Sequence, residues 1–138
     1  MRTVDDIIRG ALAEDAPWGD VTSEVLLPPS AMASATLVPR ESGILSGIDV
    51  FARVFEIVDP SVRLELLADD GSEFVPGQPL AQVTGAAGGV LRAERVALNL
   101  CQRMSGIATL TARYVAAVEG TSARVVDTRK PTPGLRVV

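Results

Sequence analysis

The chain of 138 residues contains no histidine. Nucleophilic schemes of the Ser-His-Asp or Cys-His kind are therefore closed to it, and so are imidazole metal sites. Cys101 is its only cysteine, so neither an internal disulfide nor a thiolate cluster can form. Aromatic residues are 4% of the chain, which leaves valine, leucine, isoleucine and alanine to build the core. No apolar run approaches the roughly 20 residues of a membrane span. The opening stretch MRTVDDIIRGALAEDAP is acidic and lacks a signal-peptide core, so a cytoplasmic location is expected. Lysine is nearly missing as well: Lys130 is the only one, and the other basic residues are arginines. The formal net charge is -4. With no basic block and no aromatics interleaved with the arginines, neither a nucleic acid nor a membrane is an expected partner. Chemistry in this chain must rest on arginine, lysine, carboxylates, hydroxyls and the backbone.

What is present suffices for a globular fold. Apolar residues are 47% of the chain, and at this length folding removes about 68% of the unfolded surface from water. Ile7, Ile8, Ala11 and Leu12 recur at helical spacing and predict a helix over 4–13, broken by Pro17 and Gly19. A strand is expected over 33–39 and a shorter piece over 43–47. The stretch 48–58 reads as an amphipathic helix with Val50, Phe51, Val54, Phe55 and Val58 on one side, ended by Pro60. Strands over 62–68 and 79–84 flank turn positions at Gly71 and Gly77, and such short connections favour antiparallel pairing. A long helical stretch follows over 90–118, with a break expected at Ser105-Gly106. A last strand is expected over 123–127, placed as the first strand of a βα unit would be. The fold class is α+β: an open α/β sandwich with a mostly antiparallel sheet over 1–106, then the start of a truncated α/β barrel over 107–138.

Two stretches concentrate positive charge. In LRAERVALNLCQRM, at about 100° per residue, Arg92, Arg95, Asn99 and Arg103 share one helix face. Arginines so placed repel one another mildly. A solvated face accommodates that, and so does a bound anion, which the guanidinium fork grips with two parallel hydrogen bonds. Glu94 projects toward the apolar side and, if buried, needs a partner or an oligomer interface. The second stretch is VVDTRKPTPGL, where Thr128, Arg129 and Lys130 follow the expected last strand. In α/β domains the loops at the C-terminal ends of strands build the ligand site. Adjacent cations there serve either as a solvated surface loop or as a grip on a shared anion, with lysine as a compact charge and arginine as the orienting group. Pro131 biases Lys130 toward an extended backbone.

The segments EDAPWGDVTS, GILSGIDV, GGVLRAERVALNLCQRMSGIAT and DTRKPTPGLR occur in this order, and together they resemble the N-terminal half of the quinolinate phosphoribosyltransferase family. The last two carry the specificity, and the resemblance covers essentially the whole chain. It implies phosphoribosyl transfer from phosphoribosyl pyrophosphate to quinolinate with decarboxylation, giving nicotinate mononucleotide for NAD synthesis. It implies a homodimer in which Arg95 reaches the quinolinate carboxylates of the neighbouring subunit. Thr128, Arg129 and Lys130 are expected to bind quinolinate and the donor, with Arg129 and Lys130 the candidate catalytic residues. Mg²⁺ is expected with the donor, held mainly by barrel residues outside this chain, and no metal ligand is expected within it. Pro131 stands where the family more often has threonine. Because the resemblance ends inside the barrel, the chain is expected to have little or no activity alone. Alternatives are a paralogous pyrophosphorylase of the molybdate-transport-associated type, and a non-catalytic biotinyl/lipoyl-like module built on DDGSEFVPGQPLAQVTG. The latter needs a lysine on its hairpin, and Lys130 is far from it. A third is a dimerisation piece that exposes apolar helix surface.

Overall fold

A computed structural model describes residues 3–17, 27–130 and 132–137. The segment EDAPWGDVTS and Pro131 lie partly or wholly outside the described residues. Helix α1 spans Val4–Asp15, two residues beyond the expected end. Thr3 opens it with a capping box: its hydroxyl accepts from the Asp6 amide, and the Asp6 carboxylate accepts from the Thr3 amide. Strand β1 is Met32–Leu37 and β2 is Gly43–Ile44. Helix α2, Ile48–Val58, matches its expected bounds because four of its residues, Ile48, Phe51, Val54 and Phe55, are buried along one stripe. Strands β3 (Arg63–Leu66), β4 (Glu73–Phe74) and β5 (Ala81–Ala86) follow, and α3 runs over Ala87–Ala117.

Among the described strands all pairing is antiparallel, as expected, but no pair is joined by a short turn: β1 reaches β5 past α2, β3 and β4, and β4 intervenes between β3 and β5. The larger sheet has the order β1-β5-β3, with Ala35 opposite Val83 and Leu64 opposite the same Val83. Along β5, Ala81, Val83 and Gly85 are buried while Gln82 and Thr84 are exposed, so one face packs and the other meets water. β2 and β4 form a separate two-stranded ribbon. β4 falls inside the stretch read as turn, since two residues are too few to show a period.

The core lies between α2, α3 and the buried face of the sheet, and is lined mainly by Ile8, Leu45, Val54, Leu80, Val83, Val90 and Val96. It is aliphatic as expected, except at one point: Phe51 and Phe55 stack tilted, with ring centroids 5.1 Å apart. α2 has no side-chain cap of its own. Its first amides, of Gly47 and Ile48, donate to the two carboxylate oxygens of Asp70, each at 2.9 Å. A negative group at this helix end complements the helix dipole. Gly47 has φ +88, and a Cβ there would lie 2.6 Å from the Met104 sulfur, so the position demands glycine twice over.

Three expectations are corrected. First, α3 does not break at Ser105-Gly106. The Ser105 hydroxyl is buried and satisfied, accepting from the Ser46 amide at 3.0 Å and donating to the Ser46 carbonyl at 3.1 Å. It therefore does not compete with the helix ladder. Second, Glu94 is exposed. α3 buries a narrower stripe than its apolar content suggests, and Leu91 on the same flank is also exposed. Third, residues 123–127 form no strand. A strand is defined by a ladder, and none of the described strands pairs with this segment.

Candidate functional site

α3 is the element that carries the cationic side chains. Its 31 residues span about 46 Å at 1.5 Å per residue. A row of side chains one turn apart fastens it to the β2 segment. The Thr109 hydroxyl accepts from the Ile44 amide at 2.9 Å, Ser105 binds both backbone groups of Ser46, and the Cys101 thiol lies 3.8 Å from the Ser46 carbonyl. Burial pushes the Cys101 thiol pKa up, partly offset by the Ser105 hydrogen bond. These contacts fix the rotation of α3 and so decide where its arginines point.

Each stripe residue meets a different partner. Arg92 donates to the Val58 carbonyl at the end of α2, 2.9 Å away. Beside it, the hydroxyl and amide of Ser61 hold the Asp59 carboxyl below its ordinary range, with a smaller contribution from the Arg92 charge. Arg95 forms an ion pair with Asp15 at 3.0 Å; its side chain is 71% exposed and that of Asp15 only 22%. Asn99 accepts from Gln102. Arg103 reaches Thr132, with Nη2 3.4 Å from the hydroxyl.

That last contact brings the two cationic stretches together. After α3 the chain turns at Gly120 and runs exposed through 122–130. The Thr128 hydroxyl accepts from the Lys130 amide at 3.2 Å, a local bond two residues long that shapes the loop. Arg129 and Lys130 are exposed, and their side chains have no hydrogen bond or ion pair among the described residues. Within one chain Arg95 is joined to α1 rather than to this loop. Arg103 is hydrogen-bonded to Thr132, two residues beyond Lys130. The sequence placed Arg103 on the shared face but not among the site residues, and that shared face was the available signal. Asp15 left no such signal, because the partner lies 80 residues away.

Hollows open on the surface of the described residues. One, of about 950 Å³, lies between the second half of α3 and residues 118–126, and is lined chiefly by apolar groups such as Ala112, Val115 and Val126. Another, of about 440 Å³, lies at the start of α3 among Pro28, Asp59, Gly89 and Arg92. Neither is lined by Arg95, Thr128, Arg129 or Lys130, which sit on open surface of the single chain. No group of three metal-ligating side chains occurs among the described residues. No described helix is long and apolar enough to cross a membrane.

A mixed layer of helices and antiparallel sheet leads through one arginine-bearing helix into an exposed cationic loop, which places the chain in the α+β class. Residues 20–105 match the N-terminal domain of quinolinate phosphoribosyl transferase, and residues 107–138 match its C-terminal domain. The chain belongs to the quinolinate phosphoribosyl transferase family. It is 44% identical to the carboxylating nicotinate-nucleotide pyrophosphorylase of Mycobacterium leprae over 136 residues, which cover 96% of this chain and 48% of that protein. It is 40% identical to a probable carboxylating nicotinate-nucleotide pyrophosphorylase of Synechocystis over 135 residues, covering 98% of this chain and 45% of that protein. Among solved structures, NadC from Streptococcus pyogenes superposes with a TM-score of 0.92 at 37% identity, over 97% of this chain and 48% of that one. The chain thus spans about half the length of the relatives it matches. The likeness supports the α+β assignment, and no closed barrel occurs among the described residues. The biotinyl/lipoyl alternative falls with the family assignment.

Proposed function

We propose that this chain supplies the substrate-closing layer and the first ligand loop of an enzyme that transfers phosphoribose from phosphoribosyl pyrophosphate to quinolinate, with loss of carbon dioxide. The observation that carries the reading is the family match through both 20–105 and 107–138, which takes in Arg95 and the Thr128-Arg129-Lys130 loop. The residue chemistry suits the substrates. Quinolinate has two carboxylates, and the donor has a 5′-phosphate and a pyrophosphate. Gathering these anions costs repulsion that guanidinium and ammonium groups offset. Arg129 orients a carboxylate or phosphate with its planar fork, and Lys130 adds a compact charge. Thr128 holds the Lys130 backbone through its hydroxyl. Phosphoribosyl transfer passes through positive charge at the sugar, so catalysis rests on positioning and charge stabilisation, which needs no nucleophile from this chain.

In this reading two copies pair so that Arg95 of one subunit reaches the quinolinate bound by the loop of the other, in the cytoplasm. Mg²⁺ accompanies the donor. The described residues offer no cluster to hold it.

Titration of the purified chain with quinolinate and with nicotinate tests the reading. Preference for the dicarboxylate, weakened by Arg95→Ala and by Arg129→Ala, is expected. Equal affinity for both ring acids would remove it. The isolated chain is expected to form little or no nicotinate mononucleotide. In an enzyme of the relatives' full length, either substitution should lower kcat/KM by roughly 30- to 4,000-fold, the equivalent of breaking one desolvated charge pair.

A further inference from the structure

Asp15 is an acid at an unfavourable place. It is the last residue of α1, where the helix dipole presents its negative end, and Glu14 precedes it with no basic residue in that turn. Its side chain is nonetheless mostly covered, while that of Arg95 stands well out in solvent. The two are 80 residues apart and joined by a single bond, Nη1 to Oδ1 at 3.0 Å. One guanidinium carries five donors in a rigid fork. Asp15 engages Nη1, so the Nε and Nη2 side keeps no partner among the described residues. A bidentate carboxylate fits that remaining edge.

We propose that Asp15 is a positioning residue for Arg95: it holds the guanidinium from behind so that the free edge faces the incoming carboxylate. The proposal rests on the reading of Arg95 as a quinolinate contact. An unrestrained arginine must be ordered each time a ligand binds, and prior restraint removes that cost. The negative charge of Asp15 acts against an anion, but it is paired with the Arg95 guanidinium at 3.0 Å, which offsets most of it. The restraint therefore outweighs the repulsion.

The test is calorimetric titration of the purified chain with pyridine-2,3-dicarboxylate. Asp15→Ala should weaken binding roughly two- to tenfold, the range set by ordering one long side chain. Asp15→Asn keeps an acceptor oxygen at the same point and should restore most of the affinity. Two controls separate the alternatives. Glu14→Ala removes the neighbouring charge without touching Arg95, and Asp5→Ala breaks the other tether of α1, its ion pair with Arg53. Both should leave affinity within about twofold of the original, an effect expected of exposed charges. Tighter binding by Asp15→Ala would overturn the role by making Asp15 a competitor. An equal loss in Asp5→Ala would overturn it by making the effect one of helix docking. Binding that Asp15→Ala leaves unchanged would remove the positioning role and keep the substrate reading. Absence of dicarboxylate binding by the unaltered chain would remove both.

Discussion

The two halves of α3 carry comparable apolar side chains and meet opposite fates. In the first half Val90, Ala93, Val96, Ala97 and Cys101 are buried beneath α2 and the sheet. In the second, Ile107, Leu110, Tyr114 and Val115 are each more than half exposed. Helix propensity does not distinguish them, because the helix is continuous. The difference is a second layer. Apolar surface contributes about 25 cal/mol per Å² only when it leaves water; α2 and the larger sheet cover the first half of α3, whereas the second half meets the β2 segment along one edge, through Ser105 and Thr109. The segment after α3 repeats the lesson: Val125 and Val126 belong to a strand-like run yet stay exposed without a ladder.

The largest effect that would sharpen this contrast is in the covered half. Phe55 is 2% exposed and stacks on Phe51. Phe55→Ala should cost about 3–5 kcal/mol, read as a lowered midpoint in urea. Next comes the remote cap. Asp70→Ala strips the carboxylate from two amides at the start of α2 and should cost about 1–2 kcal/mol, whereas Asp70→Asn, which keeps one acceptor, should cost less. If both variants matched the parent in denaturation, α2 would not depend on its cap.

A smaller effect concerns acid. The hydrogen bonds and charge of Arg53 hold the Asp5 carboxyl below its ordinary value of 3.8. The folded value is therefore lower than the unfolded one. The stabilisation is complete above the unfolded value and is lost as pH falls through the folded value. Thermal melts of Asp5→Asn should fall slightly below those of the parent near neutral pH and converge with them in strong acid. The gap should shrink with added salt, because the pair is exposed. A gap that persisted in strong acid would disprove the linkage. The smallest effect is in the uncovered region: Val126, 78% exposed, should tolerate alanine within about 0.5 kcal/mol. A loss as large as that of Phe55→Ala would break the comparison between the two regions.

Much of the fold was legible in the residues. The 48–58 helix announced itself through period and a terminating proline, and its bounds agree with the structure. Antiparallel pairing was expected from short turns, and the pairing is antiparallel, but its partners lie on either side of other elements and were not legible. The β2–β4 ribbon was not legible, because two residues per strand show no alternation. Ser105-Gly106 read as a break because serine and glycine disfavour helix interiors. Here the serine hydroxyl is satisfied by Ser46 across a separation of 59 residues. The site was legible in part. The arginine face and the Thr128–Lys130 loop stood out by residue type, but the link between them runs through Arg103 and Thr132, and Arg95 turns to Asp15.

The positions of the first two helices and of the longer strands, the lack of histidine and of a second cysteine, the arginine face of α3 and the family motifs all reside in the string of residues, because each depends on residue type and local spacing. Which arginine meets which acceptor, which apolar flank is covered and whether a valine-rich run becomes a strand were decided by tertiary structure. Those outcomes depend on partners tens of residues away, and local periodicity carries no record of what will be packed alongside.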